Sequence, residues 1–133
     1  MEVTVSIRDQ TGARGTAEEA FELDVPAAVT LRDLIRTRVR EEVAKANAAI
    51  GEGLDFRTLV QPTEAETTLN GYRMRRGRTI DWQRQAEKAE EAFGRNGFFV
   101  LVDGRQVEDL DEDLALTADS DIRFVRLTPL VGG

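Results

Sequence analysis

The chain has 133 residues, of which 41% are hydrophobic and 32% are charged, and its formal net charge is −7. This length is enough for one folded domain with a full hydrophobic core. The negative charge argues against general binding of nucleic acids, and it suits a partner with a basic docking surface.

The chain contains no cysteine and no histidine. This composition excludes disulfides, thiol catalysis, the usual zinc ligand sets and nucleophilic catalysis by Ser-His or Cys-His pairs. We therefore expect a protein that is not an enzyme and that holds no metal.

No apolar run approaches the length of a transmembrane helix, so we expect no membrane association. The first residues follow a strand pattern rather than a signal-peptide pattern, which predicts a cytoplasmic protein.

Apolar residues alternate with polar ones twice near the start of the chain, which predicts two antiparallel strands joined by a glycine-containing loop. The apolar positions of these strands are Val3, Val5, Ile7, Phe21, Leu23 and Val25. A helix is predicted over residues 31–49, with Thr30 as its N-cap. Its apolar residues recur at helical spacing. We assign its charged residues to the opposite face, namely Arg36, Arg38, Arg40, Glu41 and Glu42.

Residues 50–97 contain two further signals of folded structure. Asn70-Gly71 lies between apolar residues, which is the strongest short signal for a β-hairpin. Asp81 is placed to cap a helix over residues 82–93, whose apolar stripe includes Trp82 and Phe93. We therefore interpret residues 50–97 as a folded hairpin and helix rather than as a linker.

A basic cluster lies within the same segment. One interpretation is a contact site for phosphate or for an acidic partner. The other is a solvated hairpin arm that is balanced by the surrounding acidic residues. Because nothing glycine-rich or aromatic accompanies the cluster, we favour the solvated arm. The cluster consists of Arg73, Arg75, Arg76 and Arg78.

The C-terminal part of the chain predicts two more strands. Phe98–Val102 is a β-rich apolar run, and Asp103-Gly104 after it is a turn signal. The spacing of leucines within residues 109–116 predicts a short turn of helix. A last strand is predicted over residues 122–127.

The last residues, 128–133, are predicted to form a flexible tail. Pro129 cannot donate a ladder hydrogen bond, so the last strand should stop before it. The tail ends in Gly132-Gly133. Because glycine lacks a Cβ atom, this end can enter a narrow channel and present its carboxylate to a nucleotide.

The ending Phe124-Val-Arg-Leu-Thr-Pro-Leu-Val-Gly-Gly resembles the ends of ubiquitin-like β-grasp proteins. It is most similar to the small prokaryotic sulfur carriers of the molybdopterin and thiamine pathways. The resemblance covers residues 1–49 and 98–133. It implies an α+β fold in which a mixed β-grasp sheet packs on one main helix, with the last strand central and parallel to the first. Residues 50–97 would then be an insertion with its own hairpin and helix in a single ubiquitin-like domain, 1–133.

The last two predicted strands carry more apolar residues than one core face requires. In a β-grasp sheet the strand Phe98–Val102 lies towards an edge, where an unprotected apolar strand pairs with other chains. The inserted hairpin could cover that edge within the monomer. Otherwise we expect a partner or a second copy of the chain to do so, giving a homo-oligomer. The residues of this predicted contact surface are Phe98, Val100, Val102, Val125 and Leu127.

The resemblance implies a protein that is the substrate of an activating enzyme and not an enzyme itself. An E1-like adenylating enzyme would use ATP to activate the Gly133 carboxylate, so ATP belongs to the partner and this chain binds no cofactor. Gly132 and Gly133 carry the chemistry, and Leu130 and Val131 would hold the tail in the channel of the E1-like enzyme. An E2-like enzyme and a processing protease are further partners of this type of pathway. The target protein is not named by the sequence.

Three functions remain open at this point. The first, which we favour, is a bacterial ubiquitin-like modifier that is conjugated to target amines, because the insertion and the doubly apolar strands offer extra recognition surface. The second is a sulfur carrier that forms a C-terminal thiocarboxylate, which the tail favours. The third is a β-grasp interaction or scaffold module that is not conjugated.

Overall fold

The computed structural model describes residues 1–11 and 17–126. Its strands and helices are β1 (Glu2–Thr11), β2 (Ala17–Pro26), β3 (Ala28–Thr30), α1 (Leu31–Gly51), β4 (Glu66–Thr68), β5 (Gly71–Arg73), α2 (Trp82–Gly94), β6 (Phe98–Val102), β7 (Arg105–Val107), β8 (Asp113–Ala115) and β9 (Asp121–Arg126). The chain divides into two compact units, 1–34 with 92–133 and 35–91. The fold class is α+β.

The first unit contains a mixed five-stranded sheet in the order β2-β1-β9-β6-β7. β1 and β9 run parallel, and the other neighbouring pairs are antiparallel. The predicted central position of the last strand, parallel to the first, is therefore confirmed. Ile7 pairs with Ile122 and Val100 pairs with Phe124, so these side chains share one face of the sheet. All of them are fully buried, which identifies this face as the core face.

The turn between β6 and β7 follows the sequence prediction. Asp103 and Gly104 connect the paired residues Val102 and Arg105, and their φ angles are 51° and 82°. Two consecutive positive φ angles define the type I′ turn, whose twist matches that of the flanking strands. The Asp103 side chain also accepts a hydrogen bond from the N–H of Asp121, at 2.8 Å.

The helical turn predicted within residues 109–116 is wrong. Residues Asp113–Ala115 form β8, which pairs with β3 as a separate two-stranded sheet. Leu114 and Leu116 are buried while Asp113 and Ala115 are exposed, which is the two-residue period of a strand. Backbone carbonyls of this segment also accept hydrogen bonds from the first N–H groups of α1, at Leu31 and Arg32. The segment thus satisfies donors that a helix cannot pair internally at its start.

Helix α1 begins where the sequence predicts it. The N–H of Asp33 donates to the Thr30 hydroxyl at 3.2 Å, which confirms Thr30 as the N-cap. The assignment of Arg38 to the polar face is wrong, because Arg38 is only 1% exposed. Position 38 follows Leu34 by one helical turn and Leu31 by two, so it lies on the buried stripe. Its guanidinium pairs with Glu42 at 3.4 Å, and Glu42 also accepts a hydrogen bond from the N–H of Leu59.

The second unit has a small apolar cluster of its own. Phe56 and Met74 pack there with Ala46 and Ile50 of α1. Two polar contacts hold the connecting segments to the helices of this unit. The Asn47 side chain donates to the carbonyl of Ile80 and accepts from its N–H, and the Gln85 amide donates to the carbonyl of Val60. Such side-chain contacts satisfy backbone groups that have no partner in a strand or helix.

The predicted hairpin exists, but its turn lies one residue earlier than expected. β4 and β5 pair with Thr68 opposite Gly71, so Leu69 and Asn70 form the turn and Gly71 begins the strand. The glycine is needed for a different reason. Its φ is 142°, and a Cβ atom there would lie 2.3 Å from the carbonyl oxygen of Phe56. That carbonyl accepts a hydrogen bond from the N–H of Tyr72 at 2.8 Å, so the close approach is part of the pairing.

The predicted helix over residues 82–93 is confirmed as α2. The Asp81 carboxylate accepts a hydrogen bond from the N–H of Gln83 at 3.0 Å, which confirms Asp81 as its cap. Trp82, at the start of the helix, is half-buried beneath the guanidinium groups of Arg36 and Arg40, which lie 5.9 and 5.4 Å from the ring centre. These cation–π contacts shield part of the indole ring, and the rest of it stays accessible to solvent. In the described residues, neither helix has an apolar stretch long enough to cross a bilayer.

Candidate functional site

The predicted activation site falls outside the described residues. Leu127, the channel residues Leu130 and Val131, and the terminal Gly132 and Gly133 all lie there. The structure instead describes the residue directly before this segment. β9 ends at Arg126, whose neighbours on either side are Thr11 of β1 and Phe98 of β6. Arg126 also pairs with Asp9 at 3.7 Å, so the last described residue is held on both sides.

The contact surface predicted on the last two long strands is wrong for the residues that the structure describes. Phe98, Val100, Val102 and Val125 are 2%, 0%, 8% and 6% exposed, so these side chains are core residues of the monomer. The remaining apolar positions of β6, Phe99 and Leu101, point to the opposite face and are half-buried. The strand is therefore apolar throughout because both of its faces are at least partly covered.

β6 lies towards an edge of the sheet, as predicted, but it is not itself the edge strand. β6 lies between β9 and β7, and β7 pairs with Val100, Leu101 and Val102. The covering strand comes from the Asp103-Gly104 hairpin. The inserted hairpin, which was one of the two possible covers, forms a separate two-stranded sheet.

The four arginines of the basic cluster fall into different environments. Arg73 donates to Asp55 at 2.9 Å, and Arg78 lies 3.9 Å from Glu64. Both pairs are accessible to solvent, so each contributes little to stability. Arg76 lies beside the backbone of Gly53, where a Cβ atom would be 3.4 Å from its guanidinium. The Arg75 side chain makes no ion pair or hydrogen bond with any described residue.

Three of these arginines line an open cavity of about 390 Å³ in the second unit. We call this cavity the arginine groove; its residues are Glu64, Glu66, Arg73, Met74, Arg75 and Arg78. An adjacent cavity of about 260 Å³ shares Glu64 and Met74 with it and extends to the start of α2. Arg76 is not part of either lining. The arginine groove thus brings together three of the four residues singled out in the sequence.

One side of the groove is held by a carboxylate with a lowered pKa. The hydrogen bond from Arg73 lowers the pKa of Asp55, and a second hydrogen bond from the Thr68 hydroxyl, at 2.9 Å, lowers it further. Asp55 therefore stays ionised at neutral pH and fixes the Arg73 guanidinium beside the hairpin. Among the residues that the structure describes, no carboxylate holds the Arg75 side chain, so it is the groove arginine most available to a ligand.

Two residues of the groove lining, Glu64 and Met74, could not be identified from the sequence. Glu64 has a φ of 72°, which is uncommon for a residue other than glycine. Nothing in the local sequence marks this conformation. Met74 was visible only as one apolar residue among arginines, and its burial at 8% exposure became clear only in the folded unit.

Comparisons with protein-family models, with curated proteins and with solved structures find no match to this chain. Within residues 1–11 and 17–126 there is also no cluster of three or more acidic side chains that could hold a metal ion.

Proposed function

We propose that this chain is a ubiquitin-like modifier with a β-grasp fold and an insertion over residues 50–97. In the proposed reaction, the Gly133 carboxylate attacks the α-phosphate of ATP on an E1-like enzyme, forming an acyl-adenylate and releasing pyrophosphate. A thiol of the enzyme machinery displaces AMP, and a target amine then displaces the thiol to form an amide. Gly133 acts either as the encoded end of the chain or after proteolytic processing.

The observation that carries this proposal is the sheet order. The chain begins with an antiparallel hairpin, β1–β2, and the last strand returns to the middle of the sheet parallel to β1. Helix α1 comes directly after the short strand that follows this hairpin. This order of elements is the one expected of a β-grasp protein, so it supports the resemblance carried by the ending.

The position of β9 supports the proposed role of the tail. Because β9 is flanked by strands on both sides, its end at Arg126 is fixed by the sheet and by Asp9. The residues after it start from a defined point. A partner enzyme that binds the sheet would then find the start of the tail at a fixed position. Holding a reacting group close to a rigid element in this way favours its correct placement.

Gly132→Val tests the proposal. A β-branched side chain at this position should block entry into a channel that admits only glycine, because valine adds bulk and restricts the backbone. We expect ATP–pyrophosphate exchange by a cognate adenylating enzyme to fall at least about a hundredfold, the loss that a small misplacement of reacting groups can cause. Thermal stability should stay unchanged.

Ala115→Val is the matched control, because Ala115 is exposed on a strand, where valine is well tolerated. This variant should retain full exchange. Equal exchange by Gly132→Val and the unmodified chain would contradict the proposed role of the tail.

The sulfur-carrier and scaffold alternatives give different products in the same system. Expression with the adenylating enzyme and its neighbours should give adducts of higher mass if the chain is a modifier. Replacement of one terminal oxygen by sulfur would identify a carrier instead. A variant lacking Gly132-Gly133 should lose either activity, whereas a scaffold module would keep its binding.

Self-linkage should form mainly at Lys45. Lys45 is exposed on α1, whereas the Lys88 ammonium is half-buried and donates a hydrogen bond to the carbonyl of Gln61. A side chain that is already bonded to the backbone of its own chain reaches a second molecule less readily than an exposed one. We expect Lys45→Arg to remove most self-linked product and Lys88→Arg to leave most of it. Trypsin cleaves after Arg126, so the product to be mapped is a lysine that carries residues 127–133.

A further inference from the structure

We propose that the arginine groove binds an acidic peptide segment of a partner protein. An acidic side chain of that segment would pair with Arg75, and a neighbouring apolar side chain would lie against Met74. This inference goes beyond the proposed function, because no residue of the groove belongs to the tail. The site would recognise a partner whether or not the chain is conjugated.

The local charge favours an acidic ligand. Residues 67–80 contain four arginines and no acidic residue. Residues 50–97 as a whole contain eight acidic and eight basic residues, so the net charge of −7 arises from the rest of the chain. The groove lining itself carries three arginines and two glutamates, so it is slightly basic on an otherwise acidic protein, and a basic surface attracts acidic groups at short range.

The arginines of the groove differ in how firmly they are held. Arg73 is fixed by Asp55 at 2.9 Å, and the 3.9 Å contact between Arg78 and Glu64 is near the limit of an ion pair. The Arg75 side chain has no hydrogen-bond or ion-pair partner among the described residues. A ligand carboxylate can therefore bind Arg75 without breaking an existing contact, and Arg78 can turn towards it at little cost. Arginine is suited to this role because its planar guanidinium group can donate two hydrogen bonds to one carboxylate.

The floor of the groove favours a peptide over a small anion. Met74 is buried with Phe56, Ala46 and Ile50, and its flexible thioether side chain adapts to apolar groups of different shapes. The volume of about 390 Å³ exceeds what a single carboxylate or phosphate requires. It falls within the range of sites that take larger ligands with an apolar part and a few polar contacts.

The composition of the lining argues against a nucleic acid. None of the six groove residues is aromatic, so no base could stack there. Glu64 and Glu66 would repel a continuous run of phosphates, whereas a peptide can place uncharged residues beside them. The left-handed backbone of Glu64 is also a conformation that costs energy and that is often found at binding sites.

A peptide titration of the intact chain tests the proposal. The probe is a blocked hexapeptide of alternating glutamate and leucine, followed by amide chemical shifts at low salt. We expect shifts centred on Glu64, Met74 and Arg75. Arg75→Gln should weaken binding by about threefold to fivefold, the loss expected for one solvent-accessible ion pair. Its thermal stability should match that of the unmodified chain, because Arg75 makes no contact that folding requires.

Arg95→Gln is the matched control, because it removes the same charge from an exposed residue outside the groove. It should leave the affinity unchanged, and an equal loss in both variants would overturn the proposal. A peptide of alternating glutamate and serine should bind more weakly if Met74 takes an apolar side chain. Equal shifts with inorganic phosphate, or tighter binding of a thymidine oligonucleotide, would also overturn it.

Discussion

Gly71→Ala should destabilise the second unit by about 3 kcal/mol, because two independent costs coincide at this residue. Its φ of 142° lies in a region that alanine rarely adopts. A Cβ atom would also come within 2.3 Å of the carbonyl oxygen of Phe56. Backbone must move to relieve that contact, and the paired hydrogen bonds between Phe56 and Tyr72 would then be lost. Since Phe56 packs with Met74, the floor of the arginine groove should loosen as well.

Substitutions at two other glycines separate the cost of the φ angle from the cost of the steric clash. Gly77 has a φ of 88° with no atom near its missing Cβ, so Gly77→Ala should show the conformational cost alone. Gly94 ends α2 and has neither constraint, so Gly94→Ala should be neutral or slightly stabilising. Unfolding by denaturant measures all three free energies. If Gly71→Ala lowers the free energy of unfolding no more than Gly77→Ala does, the Phe56 backbone moves away from the new Cβ atom at little cost.

The hairpin at residues 66–73 illustrates what local sequence can predict. Asn70-Gly71 indicated a hairpin, and a hairpin is present. The predicted position of the turn was wrong. An Asn-Gly pair normally supplies the positive φ angles of the turn itself, so both residues were placed in the turn. Here the glycine accommodates Phe56, which is distant in sequence. A contact of this kind depends on tertiary structure and leaves no local pattern.

Periodicity succeeded over long elements and failed over short ones. β6 and the start of α1 follow their predicted bounds, because several residues agree on one period. In residues 113–116 only two leucines define the pattern, and they fit a strand as well as part of a helical turn. Arg38 shows the reverse error, since its charge outweighed its position on the apolar stripe. Spacing from Leu31 and Leu34 would have placed it correctly.

For the candidate sites, too, the sequence predicted some features and missed others. The arginine cluster was visible in the sequence because its members are close neighbours. Which arginine stays available was not visible, since Asp55 and Glu64 reach Arg73 and Arg78 only after the unit folds. β6 was expected to offer a contact surface because β7 was not foreseen beside it. Asp103-Gly104 marked the turn, but the three residues of β7, Arg105–Val107, are too few and too polar to show the pattern of a strand.

Val100→Glu should unfold the first unit. Val100 is 0% exposed and lies between Phe124 of β9 and Val107 of β7, both fully buried. A carboxyl group buried in such a site has its pKa raised by about 3–5 units, so at neutral pH it must bind a proton at a cost of about 4 kcal/mol. The extra volume in a packed core adds about 1–3 kcal/mol. Together these costs are comparable to the whole stability of a typical domain. Loss of cooperative thermal unfolding, followed by circular dichroism, is the expected result.

Leu101→Glu, one residue later, is the matched control. Leu101 points to the opposite face, is half-buried, and pairs with Arg123 on β9 and Gln106 on β7. A glutamate there stays near solvent and opposite an arginine, so the variant should remain folded. If Val100→Glu keeps residual structure, its raised pKa predicts that its stability increases as the pH falls towards about 5, because the folded state then binds the extra proton. A folded, monomeric Val100→Glu protein with unchanged stability would contradict the core position of Val100 and restore the strand as a contact surface.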